Sequence, residues 1–159
     1  MMYHSSMDTI THTNPNGETV RVSVGEHVTI GEDANIGEYV IIGRGSTIGR
    51  DATIGEDSYI GWNVTIGEHA TIGENVTIGK NVTIGEHATI GEHAIIGSYS
   101  NIGSYSNIGS YSNIGEHANI GRNATVGNNA TVGEYANIGK NVTIVENATI
   151  GVGSYIGLE

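Results

Sequence analysis

Cysteine and phenylalanine are absent from this chain of 159 residues, and proline and tryptophan occur once each. Without cysteine there can be no disulfide and no thiolate metal site. Without phenylalanine, any core must be built from aliphatic side chains. Basic residues are also scarce: six Lys and Arg stand against 17 Asp and Glu, for a formal net charge of −11. Such a surface repels the phosphate backbone of nucleic acid and the anionic face of a membrane, so neither is expected as a partner. No run of apolar residues is long enough to mark a membrane span. Met1 to Met7 lacks the basic and apolar regions of a secretory leader, which makes the cytoplasm the expected setting.

Glycine, by contrast, occurs 25 times, and it does so in a strict period. Every sixth residue from Val24 to Ile156 is Ile or Val, and the residue after each is Gly except at Val145. Six is a multiple of two but not of 3.6. The Ile column therefore stays on one side of an extended strand, whereas it would wander around a helix. The residue four places after each Ile is only Val, Ala or Ser, so a large and a small inward side chain alternate. Between them stands Asn, Asp, His, Tyr or Gly, as at Asn63, Asp51, Tyr105 and Gly45. These suit a bend, with Asn and Gly tolerating positive φ. Each hexad reads as one short strand and one corner.

The pattern of aliphatic, Gly, two variable residues, a small residue and one more variable residue resembles the hexapeptide-repeat family, and the resemblance covers residues 24–157. That resemblance implies an all-β fold, a left-handed parallel β-helix in which three hexads make one triangular coil, with seven to eight coils in this chain. It also implies a relation to trimeric acyltransferases and γ-class carbonic anhydrases, which share the prism. Ahead of the repeat, residues 1–23 form an N-terminal segment. There Thr9-Ile10-Thr11-His12-Thr13, the turn Asn14-Pro15-Asn16-Gly17 and the alternating stretch to Val24 predict a capping hairpin. Only Leu158 and Glu159 follow the last hexad, and the closing helix usual in enzymes of the family is not expected.

If positions three hexads apart stack, chemistry must be sought down columns. The corner column Asp33, Asp51, His69, His87, Tyr105, Asn123 and Asn141 places His69 beside His87 with Asp51 adjacent, the one arrangement that could hold a metal. Corner positions accept any polar residue, and the expected metal content is none. Glu38, Glu56, Glu74 and Glu92 form an acidic ladder that reads first as solvated surface, the alternative being carboxyls that titrate high or attract cations. In the columns Glu32, Arg50, Glu68 and Glu26, Arg44 the sign alternates, which stabilises. Ile41, Tyr59 and Ile95 interrupt an otherwise polar outward column, with Trp62 around the next bend, and predict an interface between subunits. Ranks of Thr, among them Thr47, Thr65 and Thr83, partly resemble insect ice-binding β-helices, but are also ordinary strand chemistry. The recurrent Asn-Val-Thr and Asn-Ala-Thr triplets follow from the hexad itself.

These readings converge on a structural scaffold that has no catalytic site or cofactor and self-associates through a flat face, a homotrimer being favoured. Acyltransferases of the family place a catalytic His and their donor cleft on inserted loops and neighbouring subunits, and no hexad here carries an insertion. The spacing of the zinc-binding His residues in γ-class carbonic anhydrases is not matched by any pair among His27, His69, His87, His93 and His117. The alternative is an acyltransferase or carbonic-anhydrase-like enzyme with sites between subunits. A second alternative is an ice- or cation-binding solenoid. The near-consensus regularity and the terminal Leu-Glu also fit an engineered or consensus-derived chain.

Overall fold

Two inward positions per hexad and a forced bend between them give strands of two residues each. A computed structural model describes residues 7–157; expectations for Met1 to Ser6 and for Leu158 and Glu159 lie outside the described residues. After a hairpin of β1 (Asp8–Thr13) and β2 (Thr19–Val24), the strands run from β3 (Thr29–Ile30) to β24 (Tyr155–Ile156), each pairing in parallel with the strand three hexads on. No described residue is helical. The strands assemble into three sheets, the three faces of a left-handed parallel β-helix of about seven turns, with 18 residues per turn. The first face carries outward Ile41, Tyr59, Thr77 and Ile95; the second, Thr29 to Tyr155; the third, Asn35 to Thr143.

The Ile column is the core. Ile36 to Ile102 are fully buried at every sixth position, with Ala, Val or Ser as the small partner. Where the partner is Ser, its hydroxyl needs an acceptor. Ser100, Ser106 and Ser112, one coil's worth, donate to the carbonyls of Gly115, Gly121 and Gly127 at 2.8, 2.8 and 2.7 Å. Ser46 and Ser58 donate in the same way to the carbonyls of Gly61 and Gly73. No buried side-chain polar atom among the described residues lacks a partner, as a stable interior requires.

Glycine after each Ile is a packing requirement. A Cβ on Gly55 would stand 2.5 Å from both Glu74 N and Gly73 C in the next coil. At Gly151, in the last turn, it would meet only Ser154 Oγ at 3.5 Å. Val145 breaks the pattern in that same turn, where no described coil lies over it. The corners are equally uniform: His, Asp, Tyr and Asn alike adopt φ between 53° and 62°. The left-handed bend is thus set by the repeat and accepted by residues other than Asn and Gly, at the modest cost each pays in that region.

The hairpin pairs in the register Asp8↔Val24 to Thr13↔Thr19. It docks on the first turn through side chains. Asn14, buried in the turn, donates from Nδ2 to Ile36 O at 3.0 Å and accepts from Ile36 N at 2.9 Å, so its amide extends the third face by one rung. Arg21 holds Glu38 at 2.8 Å and lies over the Tyr39 ring at 4.9 Å.

Candidate functional site

Because every corner residue has nearly the same φ, side chains down an edge point the same way and stack. On the edge between the second and third faces, the His69 and His87 rings stack with centroids 4.8 Å apart, and His87 stacks on Tyr105 at 4.9 Å. The Arg122 guanidinium covers Tyr105 at 5.2 Å. At the other end of the column, Asp51 Oδ2 lies 3.9 Å from His69 Nδ1. The edge thus reads carboxylate, imidazole, imidazole, phenol, guanidinium.

The three residues singled out as the one possible metal site, Asp51, His69 and His87, are therefore neighbours. Their geometry does not suit a shared ion, since stacked rings direct their in-plane lone pairs in parallel rather than at one point. No group of three His, Asp or Glu among the described residues converges on a metal position. What the arrangement does suit is proton handling. Asp51 faces Nδ1 of His69, which leaves the other ring nitrogen directed away from the carboxylate. Both side chains are about two-fifths exposed, so solvent reaches them. Arg50 competes for the same carboxylate at 3.5 Å while holding Glu68 at 3.2 Å, the sign alternation expected in that column.

Glu38, the first member of the acidic ladder, is held below the usual carboxylate range by hydrogen bonds from the Arg21 side chain and backbone. The hairpin brings that Arg to the ladder, a contact that hexad spacing does not contain.

On the first face, Tyr59, Trp62 and Ile95 are exposed and Ile41 is half-buried. Tyr59, Trp62, Lys80 and Ser98 line a groove of about 360 Å³ floored by Gly61 and Gly79. Arg44 lies over Trp62 at 5.7 Å, so its column is held by a cation-aromatic contact.

Sequence reasoning placed Tyr105 in its column but passed over Tyr99, Tyr111 and Tyr135. His93 and His117 have no partner His, yet His93 stacks on Tyr111, and His117 lies between Tyr99 and Tyr135, all at 4.8–4.9 Å. The signal was available as an aromatic residue three hexads away.

A family model described as the GMPPB C-terminal domain matches residues 46–129, more than half of the chain. The chain belongs to that family. No curated protein matches it. Among solved structures, this member of the GMPPB C-terminal domain family is similar to a Bacillus cereus protein assigned as an acetyltransferase. The identity is 21% and the TM-score 0.61, over 77% of this chain and 71% of that one. It is also similar to a hexapeptide transferase family protein from Anaplasma phagocytophilum, at 17% identity and a TM-score of 0.55, over 87% and 75% of the two chains. A third is the UDP-N-acetylglucosamine acyltransferase from Campylobacter jejuni, at 20% identity and a TM-score of 0.50, over 87% and 66%.

At these identities the likeness establishes the hexapeptide-repeat fold. The names carried by these structures, acetyltransferase and acyltransferase, correct two expectations: a scaffold with no site of its own, and a chain that is not an enzyme. That expectation had required an inserted loop. A column of edge residues brings a carboxylate and an imidazole together without one, as Asp51 and His69 do. No helix among the described residues is long and apolar enough to cross a membrane.

Proposed function

We propose that the chain transfers an acyl group from an activated donor to an amine or hydroxyl acceptor, in clefts formed where prisms meet side by side in a closed ring. The observation that carries this reading is the Asp51–His69 contact of 3.9 Å on an accessible edge. His69 takes the proton from the acceptor as its nitrogen or oxygen attacks the acyl carbonyl. It returns that proton to the leaving group when the donor bond breaks. Asp51 holds the ring and favours the imidazolium that forms in between. A separation of 3.9 Å is longer than a hydrogen bond and compatible with a pair that tightens when substrates bind.

The test is acetyl transfer from acetyl-coenzyme A to a panel of amino and hydroxyl sugars. His69→Ala is expected to lower kcat/KM by about 10²–10⁴-fold, and Asp51→Asn to give a smaller loss with an altered pH profile. Full activity in His69→Ala overturns the assignment of the base.

The ring is supported by the exposed Tyr59, Trp62 and Ile95 and the half-buried Ile41 on the first face. Closed cyclic symmetry, a trimer in the simplest case, would place this face against a different face of the neighbour. Substituting Ile41, Tyr59 and Ile95 together with Asp is expected to give monomers in sedimentation while the β spectrum persists. An assembled triple variant excludes this face.

A further inference from the structure

Six cations serve this acidic chain. Arg21 holds Glu38, Arg50 holds Glu68 and Asp51, Arg44 lies over Trp62 and Lys80 over Tyr99. Arg122 and Lys140 differ. They are the one pair of cations three hexads apart in the sequence, so they occupy adjacent coils of one column. Neither makes an ion pair among the described residues; Arg122, like Arg44 and Lys80, lies over an aromatic ring, that of Tyr105. Like charges on adjacent coils are destabilising; in this column Glu32, Arg50 and Glu68 alternate in sign, Glu68 and Glu86 repeat a negative charge, and Arg122 and Lys140 repeat a positive one.

A second, independent feature points to the same place. Asn101 donates from Nδ2 to Asn119 Oδ1 at 3.1 Å, and Asn119 donates in the same way to Asn137 at 3.1 Å. On the adjoining edge Asn123 donates to Asn141 Oδ1 at 3.2 Å. Both ladders run in one direction, toward the C-terminal coils. Amides in series polarise one another, which leaves donor ends at Asn137, in the groove, and at Asn141, outside it. Asn101, Asn119, Asn137, Arg122 and Lys140 line a groove of about 340 Å³ whose floor is glycine.

We propose that this groove binds a phosphate-class oxyanion, held by Arg122, Lys140 and the amide donor end at Asn137. Two positive charges and an amide donor end line the same groove. A guanidinium fork and an ammonium beside an amide donor match a tetrahedral dianion, with its several acceptor oxygens. A net charge of −11 makes general attraction of anions unfavourable, so saturable binding must come from these local groups. The inference does not rest on acyl transfer, and its test uses no activity.

The experiment titrates the full chain with inorganic phosphate at constant ionic strength, with chloride as control. The side-chain amide resonances of Asn137 are followed by NMR together with the thermal midpoint. Phosphate is expected to shift them saturably and to raise the midpoint, with sulfate competing. Arg122→Gln and Lys140→Gln are each expected to weaken binding by about tenfold, the size of a lost charge-assisted contact. Lys80→Gln should leave it unchanged. The Arg122 and Lys140 side chains are exposed, so the β spectrum should persist in their variants. Asn137→Ala, which removes a donor without altering charge, reads the same contact separately and is also expected to weaken binding. Shifts that never saturate, or equal affinity in the Arg122 and Lys140 variants or in Asn137→Ala, overturn the site.

Discussion

Ile78→Asp is expected to unfold the central coils. Ile78 is fully buried and stands between Ile60 and Ile96 on the first face. Removing it forfeits roughly 1.5–3 kcal/mol of burial, and an unpaired carboxylate in its place adds several kcal/mol of desolvation. Set against a total stability of about 5–15 kcal/mol for a domain, that loss is decisive at the centre of a stack. In a solenoid each coil is held only by its neighbours, so a break there separates two shorter stacks, each with fewer interfaces. Thr77→Asp on the same strand is the matched control, because its side chain is exposed. Circular dichroism with urea titration should show loss of the cooperative transition for Ile78→Asp and a near-parental midpoint for Thr77→Asp. Two similar curves would mean that the inward and outward assignment is wrong.

Gly55→Val should be nearly as damaging, for a different reason. Its added Cβ would stand 2.5 Å from the next coil's backbone, which cannot rotate away as a side-chain tip can. Overpacking of this kind costs roughly 1–3 kcal/mol even when a core can adjust, and valine adds two methyl groups beyond that Cβ. In a chain of this length each kcal/mol lowers the thermal midpoint by about 2–4 °C. The reciprocal change, Val145→Gly, lies in the last turn, where no described coil covers the position, and should move the midpoint by no more than a few degrees. Calorimetry on the two variants compares a covered and an uncovered member of one column. A tolerant Gly55 would show that neighbouring coils can separate locally, and the close-approach account of the glycine column would fall.

The candidate site was only partly legible in the sequence. Asp51, His69 and His87 could be placed in one column by counting, since the chain returns to the same edge every three hexads. Counting does not say how the rings meet, and a metal was therefore weighed for residues that in fact stack face to face. The absence of insertions weighed against a site within one chain, although an edge brings together residues a full coil apart along the chain, as Asp51 and His69 are.

The strand period, the inward Ile column, the small residue opposite it and the corner positions all follow from the amino-acid order alone. Each of these repeats along the chain at the spacing that the backbone imposes, so local pattern and global fold carry the same information. What happens between coils is a matter of three-dimensional packing. The common φ of every corner turns a list of His and Tyr into stacked columns, and the direction of the Asn ladders emerges from which amide faces which neighbour. The hairpin brings Asn14 to Ile36 and Arg21 to Glu38, pairs that are 22 and 17 positions apart. These contacts obey no period, because they depend on where a non-repeating segment lands on a repeating surface, and that is settled by packing rather than by spacing.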